Sequence, residues 1–218
     1  MADEIEIPDA LRAAVARDLR PLTPLAPPTA RLVWVAPVAI AIVTATVAIF
    51  GLRRDAPQLG LPLTWIASGL QFLIGLALVA AALRESVPGT TLSRRALGLA
   101  FAMGIIAPVT ITFQTWMVSP TGVAPGFVRY VWSVCVAGTI ATALPVLAVS
   151  GWLAARAFPL RPRIAGALYG LGAGLVADAG WRLFCHFSDP VHVLGAHTLG
   201  LALVASLAAV TAHRTRKA

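Results

Sequence analysis

Charge is scarce in this sequence. Of 218 residues only 12% are charged, and nine side chains in all are acidic. A soluble domain carries about twice that charged share. Also missing is any polar stretch long enough to fold by itself. The connections "RESVPGTTLSRR", "RAFPLRPR", "RRDAPQLG", "SPTGVAPGFVR" and "CHFSDP" are all short, so no extramembrane domain with a core of its own is expected. There is no phosphate-binding P-loop, no Gly-x-Gly-x-x-Gly fingerprint and no helical His-Glu-x-x-His pair. Their absence argues against nucleotide-driven transport and zinc proteolysis. The first thirty residues are polar, so no secretory signal is expected. No internal repeat is visible.

What the chain has instead is apolar length. Residues of hydrophobic type make up 58%, and they fall in six runs: Leu32 to Leu52, Leu61 to Leu83, Ala96 to Val118, Tyr130 to Leu153, Ile164 to Phe184 and Val191 to Thr211. Each holds the ~20 residues that cross a hydrocarbon core of ~30 Å. A helix suits such a run because it satisfies every backbone amide within its own segment. None of the runs shows the polar face that a soluble helix needs. The expectation is an all-α, six-helix transmembrane bundle with three parts: an arm of residues 1–31, a membrane domain of residues 32–211 and a basic tail of residues 212–218.

The net charge of +8 could point to nucleic acid, but its placement points to topology. Thirteen of the seventeen basic residues lie before the first run, after the sixth, or in the connections on that same side. Only Arg53, Arg54, Arg129 and Arg182 lie on the other. Because positive charge stays in the cytoplasm, both termini are expected there, with no direct nucleic-acid partner. The six tryptophans sit toward the ends of their runs, as an interfacial aromatic belt requires.

The arm has its own pattern. "PDALRAAVARDL" predicts a short helix opened by Pro8 and stopped by Pro21. Leu11, Val15 and Leu19 recur every four residues and line one face. "RPLTPLAPPTAR" carries four prolines and predicts a stiff, extended spacer. The helix fits either the membrane surface or a partner's groove, gripped through the three aliphatic side chains.

Chemistry gathers near the end of the chain. "FCHFSDPVHVLGAH" places Cys185, His186, His192 and His197 between the last two runs. Asp189 and Pro190 read as the cap and first residue of the last helix. By topology Cys135 lies at a similar depth near the same outer face. Asp178 lies two helical turns before Cys185, and Arg182 follows it at ion-pair spacing. A charge at this depth is expected to be paired and to face the bundle interior. Gln71, Gln114, Thr110 and Thr112 read as helix–helix hydrogen-bonding groups, and Pro108 and Pro145 as kinks. His213 falls in the basic tail.

Three readings of the cluster stay open. Cys135 and Cys185 could form a disulfide in an oxidising compartment. Some of Cys135, Cys185, His186, His192 and His197 could hold a metal or haem. Or the cysteines simply pack and the histidines are hydrogen-bonded. On an unbroken helix, adjacent Cys185 and His186 point about 100° apart, and His192 and His197, five apart, share no face. Cys185 and His186 could therefore both bind one ion only if the helix end unwinds.

Three stretches together, "ARDLRPLTPLAPP", "YVWSVCVAGTIATALPVLAVSGWLAARAFPLRPRIAGALYGLGAGL" and "FCHFSDPVHVLGAHTLG", resemble the six-span integral-membrane anti-sigma factors of the NrsF type, and are similar to the myxobacterial CarR proteins. The resemblance implies a regulator and no enzyme. Its cytoplasmic arm would hold an extracytoplasmic-function sigma factor at the bacterial inner membrane. An oxidative, metal or light signal would release it, with stress genes or carotenoid synthesis as targets. Cys135 and Cys185 would be the sensing residues. The other functions to be weighed are a redox, metal or haem protein of the membrane, and a small transporter.

Overall fold

In the computed structural model the described residues, 8–18 and 25–215, are helical with no strand. The elements are α1 (Asp9–Asp18), α2 (Pro28–Phe50), α3 (Ala56–Glu85), α4 (Arg94–Val118), α5 (Pro125–Ala155), α6 (Pro162–Phe184) and α7 (Pro190–Arg214). The starts follow local chemistry. Pro28, Pro162 and Pro190 open α2, α6 and α7, where the missing amide hydrogen costs nothing. Ser93 caps α4 by accepting from the Ala96 amide at 3.2 Å. Asp189 caps α7 through the Val191 and His192 amides, as the sequence predicts.

Five helices, α2, α3, α4, α5 and α7, are long and apolar enough to cross a membrane. Their surfaces agree with that. Large apolar side chains such as Ile49, Leu73, Leu99, Ile105 and Met117 point outward, while Gln71, Glu85, Asp178, Arg182, His192 and His197 are buried. A bundle that folded in water would show the reverse distribution. The sixth long helix, α6, stands apart. It has five glycines, Asp178 and Arg182, and all but one of its residues from Gly170 to Leu183 are buried. It packs most closely on α3 and α7, and then on α5 and α2.

Glycine makes that central position sterically feasible. A Cβ on Gly172 would lie 2.6 Å from the Gly75 carbonyl oxygen, and one on Gly75 would lie 2.8 Å from that of Gly172. Gly166 and Gly170 meet the backbone of Ala208 and Ala205 in the same way. Small residues at facing positions let helix backbones touch, the main source of attraction between helices in lipid.

Charged groups fasten each end of the bundle. At the arm's end, Arg31 is buried and donates to the Leu83 oxygen at 2.5 Å and the Leu153 oxygen at 3.1 Å. These are terminal carbonyls of α3 and α5, which a cation satisfies well. Glu85 accepts from Arg161 at 2.5 and 2.8 Å and from the Leu92 amide at 2.7 Å. At the far end, Arg53 donates to Asp55 at 2.6 and 2.8 Å, and the Ser119 hydroxyl reaches the same carboxylate at 2.8 Å. Burial pushes the Asp55 carboxyl up, but the hydrogen bonds from Arg53 and Ser119 and the Arg53 charge outweigh it and hold it below the ordinary carboxylate value.

Some sequence expectations change here. Trp34, Trp65 and Trp152 are exposed as belt residues should be. Trp181 is buried, with its indole donating to Thr142 at 3.0 Å, so it is a packing residue. Gln114 and Thr110 lie exposed on the bundle surface.

The α3–α6 contact generates a paired prediction. Gly172→Ala should lower stability by about 1–3 kcal/mol, since the nearest atom a Cβ would meet is the Gly75 carbonyl oxygen, with the Val79 amide and side chain close behind. Gly98→Ala should cost nothing and gain up to about 1 kcal/mol, because its site is open and helical. Denaturant titration of both variants in detergent measures the difference.

Candidate functional site

At the far end of the bundle the end of α6 meets the start of α7. The geometry begins with a helix stop. α6 ends at Phe184, and Cys185 takes an extended conformation while its amide still bonds the Trp181 carbonyl at 2.7 Å. A staple between two loops holds this exit. The Ser188 and Asp189 amides donate to the Thr121 oxygen at 2.9 and 3.0 Å, the Thr121 amide donates to the Ser188 hydroxyl at 3.0 Å, and the Thr121 hydroxyl reaches the His186 carbonyl. The chain therefore turns the Cys185 thiol inward. His186, half-buried, stacks on Phe187 with ring centroids 4.3 Å apart, and takes no part in the donor group.

The start of α7 makes the second adjustment. Residues Val193–His197 form one π-helical turn. On an ordinary α-helix His192 and His197 would point about 140° apart. A turn closed by i→i+5 bonding brings residues five apart onto nearly one face. Cys135 comes from α5, one helix away.

The result is a four-donor cluster of Cys135, Cys185, His192 and His197. One donor atom of each lies within 4.8 Å of all the others, and all four residues are buried. His192 Nε2 is 3.6 Å from each sulfur. Both cysteines are free thiols. Trp132, Phe187 and Val136 pack over the group, with Trp132 and Phe187 presenting edge contacts to the His192 ring.

Behind the cluster sits a buried carboxylate. Asp178 Oδ1 accepts from His197 Nδ1 at 2.5 Å. Its Oδ2 accepts from Gln71 Nε2 at 2.6 Å and Arg182 Nε at 3.0 Å. Arg182 goes on to the Pro108 carbonyl at 3.1 Å and the Thr112 hydroxyl at 2.9 Å. Three helices, α3, α6 and α7, thus meet on one side chain, and Arg182 adds α4. With Nδ1 of His197 taken, its Nε2 is the nitrogen left for the cluster, and it makes no hydrogen bond among the described residues.

A family model described as "Negative regulator of sigma F" (NrsF) matches residues 15–217. The chain belongs to the NrsF family. Neither a curated protein nor a solved structure matches it. In this NrsF-family chain the match begins at Val15, inside α1, and takes in the whole bundle.

The residues singled out in the sequence divide accordingly. Cys135, Cys185, His192 and His197 come together, and the Asp178–Arg182 pair stands directly behind them. His186 is left out because the chain leaves the helix before it. Sequence reasoning did not assign Gln71 and Thr112 to this network. Their polarity within apolar runs marked them, but not their partners. On α1, Leu11 and Val15 are 54% and 51% exposed. Leu19 lies outside the described residues.

Asp178→Ala removes the counter-charge of buried Arg182 and the acceptor of His197. Leaving one member of a buried pair costs about 3–5 kcal/mol, so the variant should unfold at markedly lower denaturant than the wild type. Arg182→Ala should do the same. A double variant that costs less than the sum of the two would show that they act as one unit.

Proposed function

We propose that this NrsF-family chain is a membrane-bound anti-sigma factor. It holds an extracytoplasmic-function sigma factor at the bacterial inner membrane through its N-terminal arm and releases it when the cluster around Cys135 and Cys185 changes state. Membership of the family supports the negative regulation of a sigma factor. The observation that carries the grip is the surface of α1. Its Leu11 and Val15 side chains stand more than half exposed, and a proline-rich segment separates them from α2. A short helix of this kind gains stability by docking its aliphatic stripe into a partner's groove.

In this reading α6 crosses the membrane as a sixth span, and both termini are cytoplasmic. The clustering of basic residues on one side of the bundle supports that orientation. The donor cluster then faces the periplasmic side, where oxidants, metals and photochemical products arrive first. Its thiols and imidazoles are the groups that such agents attack or bind. A membrane anti-sigma factor needs no catalytic machinery, and no enzymatic role is proposed.

Replacing Leu11 and Val15 together by Asp tests the grip. Each aliphatic side chain contributes about 1.5–3 kcal/mol when buried. The double variant should bind its sigma factor at least a hundredfold more weakly and derepress the target promoter, with its membrane level unchanged. Full repression by a correctly inserted variant would remove the arm from the mechanism. A reporter fused after the tail reads the orientation, and a periplasmic signal would overturn it.

A further inference from the structure

We propose that Cys135, Cys185, His192 and His197 bind one divalent d10 cation of the zinc class in a tetrahedral thiolate–imidazole site, with Asp178 positioning the His197 ring. The proposal deepens the regulator reading by naming the effector of the cluster. The binding step itself needs no sigma factor.

Spacing is the first support. A tetrahedral ion with bonds of about 2.3 Å to sulfur and about 2.0–2.1 Å to imidazole nitrogen sets its sulfur and nitrogen ligands roughly 3.5–3.6 Å apart. His192 Nε2 lies 3.6 Å from the sulfur of Cys135 and 3.6 Å from that of Cys185. The four donors already lie within 4.8 Å of one another, so an ion could be seated without moving a helix.

An unused nitrogen is the second. His197 is 1% exposed, and its Nε2 has no hydrogen-bond partner among the described residues. Buried polar atoms almost always have one. The other ring nitrogen is fixed by Asp178 at 2.5 Å. A carboxylate behind a ligating histidine is the arrangement that sets the tautomer and orients the ring toward a metal. The His192 Nδ1 atom is also unpartnered, and its ring is oriented instead by Trp132 and Phe187.

Charge decides the class of ion. A buried, apolar setting penalises net charge heavily. Two thiolates neutralise a divalent cation, and Arg182 already balances Asp178 at 3.0 Å. The loaded site is then neutral as a whole, whereas a monovalent ion would leave it negative. Two sulfurs and two imidazoles suit a tetrahedral zinc-class ion, while octahedral ions of the magnesium or calcium type want oxygen ligands. Loading balances as one cation taken up, two Sγ–metal and two N–metal bonds formed, and two thiol protons released. Affinity must therefore fall as pH falls. The ion would join α5, the end of α6 and the start of α7, so gain or loss of metal changes how those three helices are tied.

The test uses the full chain, reduced, stripped with chelator and reconstituted in lipid nanodiscs. Zinc is titrated against a chromophoric chelator, and bound metal is counted by elemental analysis. Wild type and His186→Ala should each take one zinc per chain. Cys185→Ser and His197→Gln should bind at least a hundredfold more weakly, and Asp178→Asn 10–100-fold more weakly. Cobalt in place of zinc should give the visible bands of a tetrahedral thiolate site in wild type, lost in Cys185→Ser. Folded wild type that takes no stoichiometric zinc, or Cys185→Ser binding as tightly as wild type, overturns the site. Should Cys185→Ser not fold, the wild-type cobalt spectrum still decides, and its absence overturns the proposal. Recovery of the two cysteines as a disulfide, with no zinc uptake after reduction, overturns it as well. Absence of zinc binding alongside derepression by the Leu11 and Val15 double variant removes the metal site and leaves the anti-sigma reading standing.

Discussion

One buried carboxylate organises this molecule. Asp178 sits in the middle of an apolar bundle with no exposed surface. An uncompensated charge there would be prohibitive, so the surrounding helices must deliver partners in fixed places. Arg182 does so from the next turn of α6, Gln71 from α3 and His197 from α7. Each partner fixes a different piece of geometry. Gln71 sets the register of α3 against α6. Arg182 reaches on to α4 at Pro108 and Thr112. His197 carries the constraint into the sulfur cluster. The four-donor cluster is therefore continuous with the group that specifies the bundle.

In lipid this arrangement has a clear physical logic. Apolar side chains gain nothing by turning from hydrocarbon to one another, so close backbone contact and internal polar bonds must supply specificity. The Gly75–Gly172 contact provides the first and the Asp178 network the second. The polar groups are concentrated rather than spread, with Arg31, Glu85 and Arg161 at one end and Arg53, Asp55 and Ser119 at the other. Between them, α6 could not exist as an isolated lipid-exposed helix with Asp178 and Arg182 uncovered. Its glycines and charges make sense only with α3, α5 and α7 around it.

Much of this was legible in the sequence, and the rest was hidden for identifiable reasons. The apolar runs show at once because length and composition determine them. The relation of Asp178 to Arg182 shows because four residues make one helical turn. The family shows in the residues around the arm, α5, α6 and the turn before α7. The cluster was legible only in part. Topology brings Cys135 near Cys185, but two local irregularities decide the final membership. The π turn at Val193–His197 puts His192 and His197 on one face, and no α-helical wheel foretells it. The stop at Phe184 splits Cys185 from His186, and it depends on the Thr121–Ser188 staple, which joins loops more than sixty residues apart. Gln71 was visible as a polar residue in an apolar run, but its partner depends on how far α3 slides along α6. Trp181 was read as interfacial from its depth alone. The small space left by Gly138 draws it inward.

Long helices join the two ends of the molecule, and this limits how an event at one end can be felt at the other. Arg31, at the root of the arm, bonds the terminal carbonyls of α3 and α5. Those same helices carry Gln71 and Cys135 toward the opposite end. From Cys135 to Leu153 is about 27 Å along a helix, too far for any side-chain contact between the two positions. Movement of a rigid helix would span that distance. α3 is poorly suited to move, since its backbone rests on the backbone of α6 at Gly75. Gly138 of α5 rests on the side chain of Trp181 rather than on backbone. α5 is therefore the helix with the greater freedom, and it alone holds a cluster thiol at one end and an Arg31 acceptor at the other. Coupling of this kind requires two stable placements of α5. The tie made at Cys135, whether by metal, by disulfide or by neither, is the contact that would set their balance.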